Sequence, residues 1–313
     1  MAHYRITHTT TYDYEEPVSL CYNEGRLLPR SCALPLFQQE CRRAEFTVVP
    51  PWNDQRDRLD FFGNRVTYFT LRQPHEQMVL TATSEIVITP AFIAGAAPSK
   101  MLAQLLAQSG QLGWEAAAQR LRTAVLADDG DDEIVDAHQY LLPSPYVAPF
   151  AELTSYARRS FTPGRPLIEA AADLMARIYR DFDFVAGATT IATPLAEVLA
   201  ERKGVCQDFA HLMVACLRSQ GLAARYMSGY IETLPPPGQE KLVGSDASHA
   251  WCAVYVPAIG WVDFDPTNNL IPQEQHVVLG WGRDFSDVTP LKGVFFGDGR
   301  HQLTVAVDMA RVG

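Results

Sequence analysis

Several things are missing from this chain of 313 residues, and each absence removes a class of function. There is no C-x-x-C pair, which argues against a zinc site or a thioredoxin-like redox centre. There is no run of Lys and Arg, and 26 basic residues stand against 36 acidic ones. The net charge of -10 would repel the phosphates of a nucleic acid. No apolar stretch approaches the ~20 residues of a membrane span. The opening Met1-Ala2-His3-Tyr4-Arg5-Ile6-Thr7 has no apolar signal core, so the expectation is a soluble, cytoplasmic protein without membrane or nucleic-acid partners. Internal repeats are absent as well. The six cysteines (21, 32, 41, 206, 216 and 252) come without an export signal in a large chain, so a disulfide framework is not expected.

What is present divides into three regions. Residues 1–92 read as β: Tyr4 to Tyr12, Glu45 to Val49, Val66 to Leu71 and Met78 to Thr83 are rich in β-branched and aromatic residues. Pro50-Pro51, Gly63-Asn64 and Gln73-Pro74 separate them, a spacing that suggests a sandwich. Residues 93–164 form a helical linker region, and the three- and four-residue apolar spacing continues past it; Lys100 to Gln108, Trp114 to Leu126 and Pro166 to Phe182 are the predicted helices. The acidic cluster Asp128 to Glu133 lacks the glycine position of a calcium loop and reads as a solvated connection.

Residues 165–313 carry the chemistry and end in a C-terminal β segment. Thr193-Pro194 opens a predicted helix that stops at Gly204, and a second helix runs from Cys206 to Gln220 before Gly221. Strands are expected over Ala223 to Ile231, His249 to Val256, Trp261 to Asp265, Val277 to Leu279 and Gln302 to Val307. A polar loop containing Pro235-Pro236-Pro237-Gly238 interrupts them. The helix beginning at Cys206 is apolar nearly all round and is therefore buried, so only its N-terminal end can reach a cleft. Unpaired backbone N–H groups and the positive end of the helix dipole stabilise a thiolate there. The same N–H groups can serve an oxyanion. Cys216 and Cys252 read as core thiols. Asp208 and His211, three apart on the helix, lack a third ligand and read as anchoring hydrogen-bond residues.

His249 opens its strand and shares a face with Trp251, while Asp263 and Asp265 share a face of the next. A turn at Pro257 to Gly260 brings the two strands together. His249 then lies about three residues further from the turn than Asp265, roughly 10 Å at strand rise. Only a bulge or a staggered pairing closes that gap, so spacing does not choose between the two carboxylates.

Three segments carry a family resemblance: Gly204 to Leu212 (Gly-Val-Cys-Gln-Asp-Phe-Ala-His-Leu), Ala247 to Trp251 (Ala-Ser-His-Ala-Trp) and Trp261 to Asn269 (Trp-Val-Asp-Phe-Asp-Pro-Thr-Asn-Asn). They resemble the bacterial transglutaminase-like superfamily. Leu27-Leu28-Pro29-Arg30 and Phe62-Gly63-Asn64 resemble its N-terminal domain, and Gly282 to Pro290 its C-terminal signature. The resemblance implies an α+β fold: a β-sandwich-like N-terminal domain, then a papain-like core with a cysteine on a helix against a sheet. It assigns Cys206 as nucleophile, His249 as general base and acid, and Asp265 as the orienting carboxylate. Gln207 and Trp251 are candidates for the oxyanion hole or the cleft, and Arg283 with Asp284 for a structural ion pair. No metal or organic cofactor is required.

The family divides between peptide or amide hydrolases and cross-linking enzymes. A chain this short, without export signals or accessory domains, fits a cysteine peptidase or amidase acting on a peptide or protein. A transglutaminase using an amine acceptor is the alternative, and a catalytically silent binding scaffold is the alternative of another class. No residue names an oligomeric state.

Overall fold

The computed structural model describes residues 1–91, 98–124, 132–233, 247–257, 259–297 and 299–312. Asp128 to Asp131 of the acidic cluster, Leu126, and the Pro235 to Gly238 loop lie outside these residues.

The N-terminal strands are β1 (Ala2–Val18), β2 (Leu20–Gly25), β3 (Cys32–Ala33), β4 (Phe37–Val49), β5 (Asp54–Leu59), β6 (Arg65–Leu71) and β7 (His75–Pro90). Helices follow: α1 (Pro98–Gln108), α2 (Trp114–Ala124), α3 (Asp132–His138), α4 (Ala151–Arg158) and α5 (Leu167–Asp181). Next come β8 (Asp183–Phe184), α6 (Leu195–Glu201), β9 (Lys203–Gly204) and α7 (Cys206–Ser219). The chain continues through β10 (Ala224–Ile231), β11 (Ala247–Val256), β12 (Gly260–Phe264), β13 (His276–Gly282), β14 (Leu291–Phe296) and β15 (His301–Arg311).

Two sheets make the N-terminal sandwich, in the orders β15-β1-β7-β4-β3 and β14-β2-β6-β5. Alternation drives it: Phe46, Val48, Met78, Leu80 and Ala82 from one sheet meet Cys21, Phe69 and Leu71 from the other in a single buried cluster. The first sheet is covered on its other face too. Tyr4, Ile6, Phe37, Ile86 and Ile88 join the large core that also holds α5, α7 and the second half of the chain. The last β region divides between sheets. Its first part, β13, joins the core sheet, whereas β15 pairs antiparallel with β1 from Tyr4↔Arg311 to Tyr14↔His301, and β14 pairs with β2. Residues 291–311 therefore complete the sandwich, because β1 and β2 would otherwise be open sheet edges.

The core sheet runs β12-β11-β10-β13, all antiparallel, with α7 packed against it. Cys216 and Cys252 are fully buried there, as expected of core thiols. Helix α6 ends earlier than Gly204. Arg202 takes the left-handed conformation (φ 56°) that closes it, and Gly204 belongs to a short strand. The short helices α3 and α4 carry too few turns to show a periodic signal in the sequence.

The signature segments of the two halves meet. Arg30 Nη1 donates to Phe62 O and Asn64 Oδ1, both at 2.9 Å, and its guanidinium stacks 3.4 Å from the Trp281 ring. Asn64 Oδ1 also accepts from Trp281 N (3.0 Å), and Asn64 Nδ2 donates to Trp281 O (2.8 Å). Gln39 makes the same two-way contact with Val278. These buried amides act as backbone substitutes at the edge of β13. Asn64→Ala strands the Trp281 peptide groups and Arg30 at once, so a loss of about 3 kcal/mol is expected in urea unfolding. A loss below about 0.5 kcal/mol would show that the junction contributes little to stability.

Candidate active site

Cys206 is the first residue of α7, and both ends of that helix are held. At the N-terminus the Asp208 carboxylate accepts from Val205 N (2.8 Å) and from Thr189 Oγ1. A side chain at Gly204 would collide with it, since a Cβ there would lie 2.8 Å from Asp208 Oδ2 and 3.0 Å from Asp208 Cβ. At the far end Arg218 donates to Ala224 O, Leu142 O and Arg283 O. His211 accepts from Phe285 N at 3.1 Å and stacks against Tyr146. Asp208 and His211 thus anchor the helix, the role expected of them once no third ligand was found. Eleven of the residues in α7 are buried, but Cys206 and Gln207 keep partial exposure at its tip.

His249 stands on β11 opposite Gly229 of β10. A Cβ at Gly229 would lie 2.6 Å from the Trp251 ring and 2.0 Å from Val277 O, so only glycine lets the indole lie across this strand. The candidate cleft residue Trp251 is fully buried and does not line a cleft. Its ring stacks with His249 (6.0 Å between centroids), and its Nε1 donates to Asp263 Oδ2 at 3.0 Å. It backs the imidazole because inward-facing positions of β11 meet the core.

The carboxylate question has a geometric answer. In the β11–β12 register Asp263 lies opposite Ala253, and Cys252 opposite Phe264. Continuing that register would set Asp265 across from Trp251, two residues short of His249 rather than three. No bulge closes the gap. The strand ends at Phe264, Asp265 bridges to Leu270, and its side chain reaches His249 Nε2 at 2.8 Å. Asp263 instead pairs with Trp251 and, through space, with buried Arg225.

Asp265 is fully buried and accepts five hydrogen bonds. Oδ1 takes Thr267 N (3.0 Å) and Asn268 N (3.2 Å). Oδ2 takes Asn268 Nδ2 (2.8 Å), His249 Nε2 (2.8 Å) and His276 Nε2 (3.0 Å). Burial alone would raise its pKa, but these donors hold it well below the usual carboxylate range. For His249, burial pulls the pKa down, and hydrogen bonds to Asp265 and Cys206 overcome it, raising the value to about 10. With Nε2 on Asp265, Nδ1 is the ring nitrogen left to meet the thiol. Burial raises Asp263 to about 6, against the pull of Arg225 and Trp251, so its environment opposes ionisation where that of Asp265 enforces it.

His249, Asp265 and His276 bring two imidazole nitrogens and a carboxylate oxygen within 4.8 Å, a donor set that invites a metal reading. Both Nε2 atoms lie at hydrogen-bond distance from one ionised oxygen, which can only accept. Each therefore turns a proton toward Asp265 rather than a lone pair toward an ion. Arg283 pairs with Asp287 (2.9 Å), not with Asp284, whose carboxylate accepts from Tyr146 N and Ser286. His276 and Asn268 also reach this carboxylate, although no motif in the sequence assigns them a role. Asn268 was visible two residues after Pro266, and His276 as a lone histidine opening a strand.

A cavity of about 630 Å³, lined by Arg30, Phe62, Tyr140, Arg225, Trp261 and Trp281, includes none of Cys206, His249 and Asp265.

Helix, sheet and site define a papain-like, transglutaminase-like core with a thiol at a helix tip facing a histidine–aspartate pair. Comparison with known proteins agrees. Residues 4–87 match the bacterial transglutaminase-like N-terminal region and residues 154–266 the transglutaminase-like superfamily. An uncharacterised protein of Mycobacterium tuberculosis is 37% identical over 98% of this chain and 92% of its own, and one of Mycobacterium leprae is 31% identical over 98% of each. The chain belongs to the transglutaminase-like superfamily, a family of thiol-dependent enzymes. A crystal structure of a proposed cysteine protease from Cytophaga hutchinsonii shares the fold, with a TM-score of 0.70 and 20% identity over all of this chain and 91% of that one. A protein-glutamine gamma-glutamyltransferase of Pseudomonas aeruginosa is 37% identical over 73 residues, 23% of this chain and 11% of its own.

The two carboxylates should separate in a titration of His249 followed by NMR. Asp265→Asn should lower its midpoint by at least about 2 pH units, and Asp263→Asn should leave it within about half a unit. The reverse ranking would assign the orienting role to Asp263.

Proposed function

We propose that this protein is a cysteine peptidase or amidase in which Cys206, His249 and Asp265 act in sequence. The reading rests on one observation: a partly exposed thiol at a helix N-terminus stands beside an imidazole whose Nε2 lies 2.8 Å from the buried Asp265 carboxylate, a partner that favours the charged ring. Cys206 Sγ, as thiolate, attacks the carbonyl carbon. The oxyanion that forms meets the N–H groups of the first turn of α7, which helix geometry leaves without intrahelical acceptors. Gln207, next to the nucleophile and partly exposed, is the side chain available to add a donor. His249 gives its proton to the departing nitrogen as the C–N bond breaks, leaving a thioester. Water then attacks with His249 as base, the C–S bond breaks, and the carboxylic acid product leaves with the thiolate–imidazolium pair restored.

Solvent access at Cys206 supports water as the acceptor, because a thioester protected for an amine needs a dry site. The substrate is then a peptide or protein. A reducing compartment such as the cytoplasm suits the six unpaired thiols. Transglutaminase chemistry is the second reading, favoured by the local match to the Pseudomonas aeruginosa enzyme.

The test is mass spectrometry of the protein with a glutamine-containing peptide library, with and without a primary amine. Chain cleavage, or loss of ammonia with solvent incorporation, is the expected result. Cys206→Ala should reduce it by roughly 10⁴-fold or more without unfolding the protein. Amine-dependent mass gain would establish transglutaminase activity instead, and turnover retained by Cys206→Ala would sink the nucleophile assignment.

A further inference from the structure

We propose that His276 is a positioning residue for this site: its Nε2–H holds the Asp265 carboxylate aimed at His249. The inference rests on the reading of Cys206 and His249 as a reactive pair. His276 is the first residue of β13 and fully buried, with its backbone N–H bonded to Gln273 O at 3.1 Å. Its Nε2 lies 3.0 Å from Asp265 Oδ2, the same oxygen that receives His249. Its ring centroid is 5.7 Å from that of His249 and 5.2 Å, edge-on, from that of Trp251.

Counting protons fixes the state of the ring. The ionised carboxylate only accepts, so Nε2 carries a hydrogen. Nδ1 is sealed from solvent and has no hydrogen-bond partner among the described residues. A second proton placed there would be a buried donor without an acceptor, at a cost comparable to the loss of a hydrogen bond to a charge. His276 therefore stays neutral, and burial lowers its pKa in the same sense despite the pull of Asp265. Among the described residues, the titratable groups facing it are Asp265, at the end of β12, and His249 on β11. Trp251, the third neighbour, does not titrate, and Cys206 of α7 lies beyond His249.

Two imidazoles thus share one oxygen in different states. His249 needs its proton for chemistry. His276 supplies a fixed donor and no charge to repel it. Without His276 the carboxylate is freer to turn away from His249. A carboxylate that turns away stabilises the imidazolium less, so His249 loses its proton at lower pH and the thiolate–imidazolium pair is weakened.

The readout is the rate of Cys206 alkylation by iodoacetamide, located by peptide mapping, between pH 4 and 11. This needs no substrate. The wild type should react at low pH as an ion-paired thiolate, with a second rise where His249 loses its proton. His276→Leu should slow the pH 6 reaction about tenfold and move the upper rise to lower pH; His276→Gln, which keeps an N–H donor, should restore most of both. Superimposable wild-type and Leu profiles, or Leu and Gln equally impaired, would overturn the assignment. Wild-type Cys206 reacting like an ordinary cysteine would sink the reactive-pair reading and this inference with it. Nitrogen NMR of the wild-type protein adds a check that needs no variant. The neutral Nε2–H tautomer of His276 is expected at pH 7, and an imidazolium or an Nδ1–H tautomer there would refute the proposal.

Discussion

A carboxylate with no exposure to solvent is the constraint around which the core is arranged. Taking an ion out of water costs several kcal/mol, and only a full set of donors offsets it. Asp265 finds two of its five in the backbone of the turn after it, one in the Asn268 side chain, and two in His249 of β11 and His276 of β13. Those two strands are not neighbours, since β10 lies between them. Gly229 on β10 lets the Trp251 indole occupy that space. A one-residue slip of β11 would turn His249 to the opposite face and leave the charge short of a partner, so the ion itself helps to set the register.

The sheet that carries these histidines is fixed to the N-terminal sandwich by amides rather than by greasy contact alone. Asn64 and Gln39 imitate a neighbouring strand along β13, and Arg30 stacks on Trp281 while holding the Phe62–Asn64 turn. Arg225 stacks on the other side, 3.8 Å from the Trp281 centroid and 4.4 Å from that of Trp261. The N-terminal sandwich therefore supports one edge of the site-bearing sheet without contributing any of the three residues assigned to chemistry.

Local patterns carried much of this. The apolar helix behind Cys206, the strand over His249 to Val256 (which begins at Ala247) and the alternation of the sandwich strands are short-range signals that the fold obeys. The choice between Asp263 and Asp265 needed resemblance, because it turns on a two-residue register offset and on a chain reversal at Asp265. Trp251 looked available for a cleft because strand alternation names a face but not what covers it. His276 was illegible for a related reason: its meaning lies in a contact eleven residues back along the chain, made only once β13 has docked. The pairing of β15 with β1 joins residues about three hundred apart, and periodicity predicts a strand without naming its neighbour.

That last pairing has a consequence for how the molecule is made. Strand β1 lies between β7 and β15, but β15 is synthesised long after both of them. Until then one side of β1 is an open edge, and the face bearing Val307 and Met309 is missing from the main core. The helices and sheet that hold Cys206, His249 and Asp265 are all encoded between those two strands. The site can therefore begin to assemble inside a loop whose ends are not yet joined, and the pairing of β15 with β1 is what closes that loop.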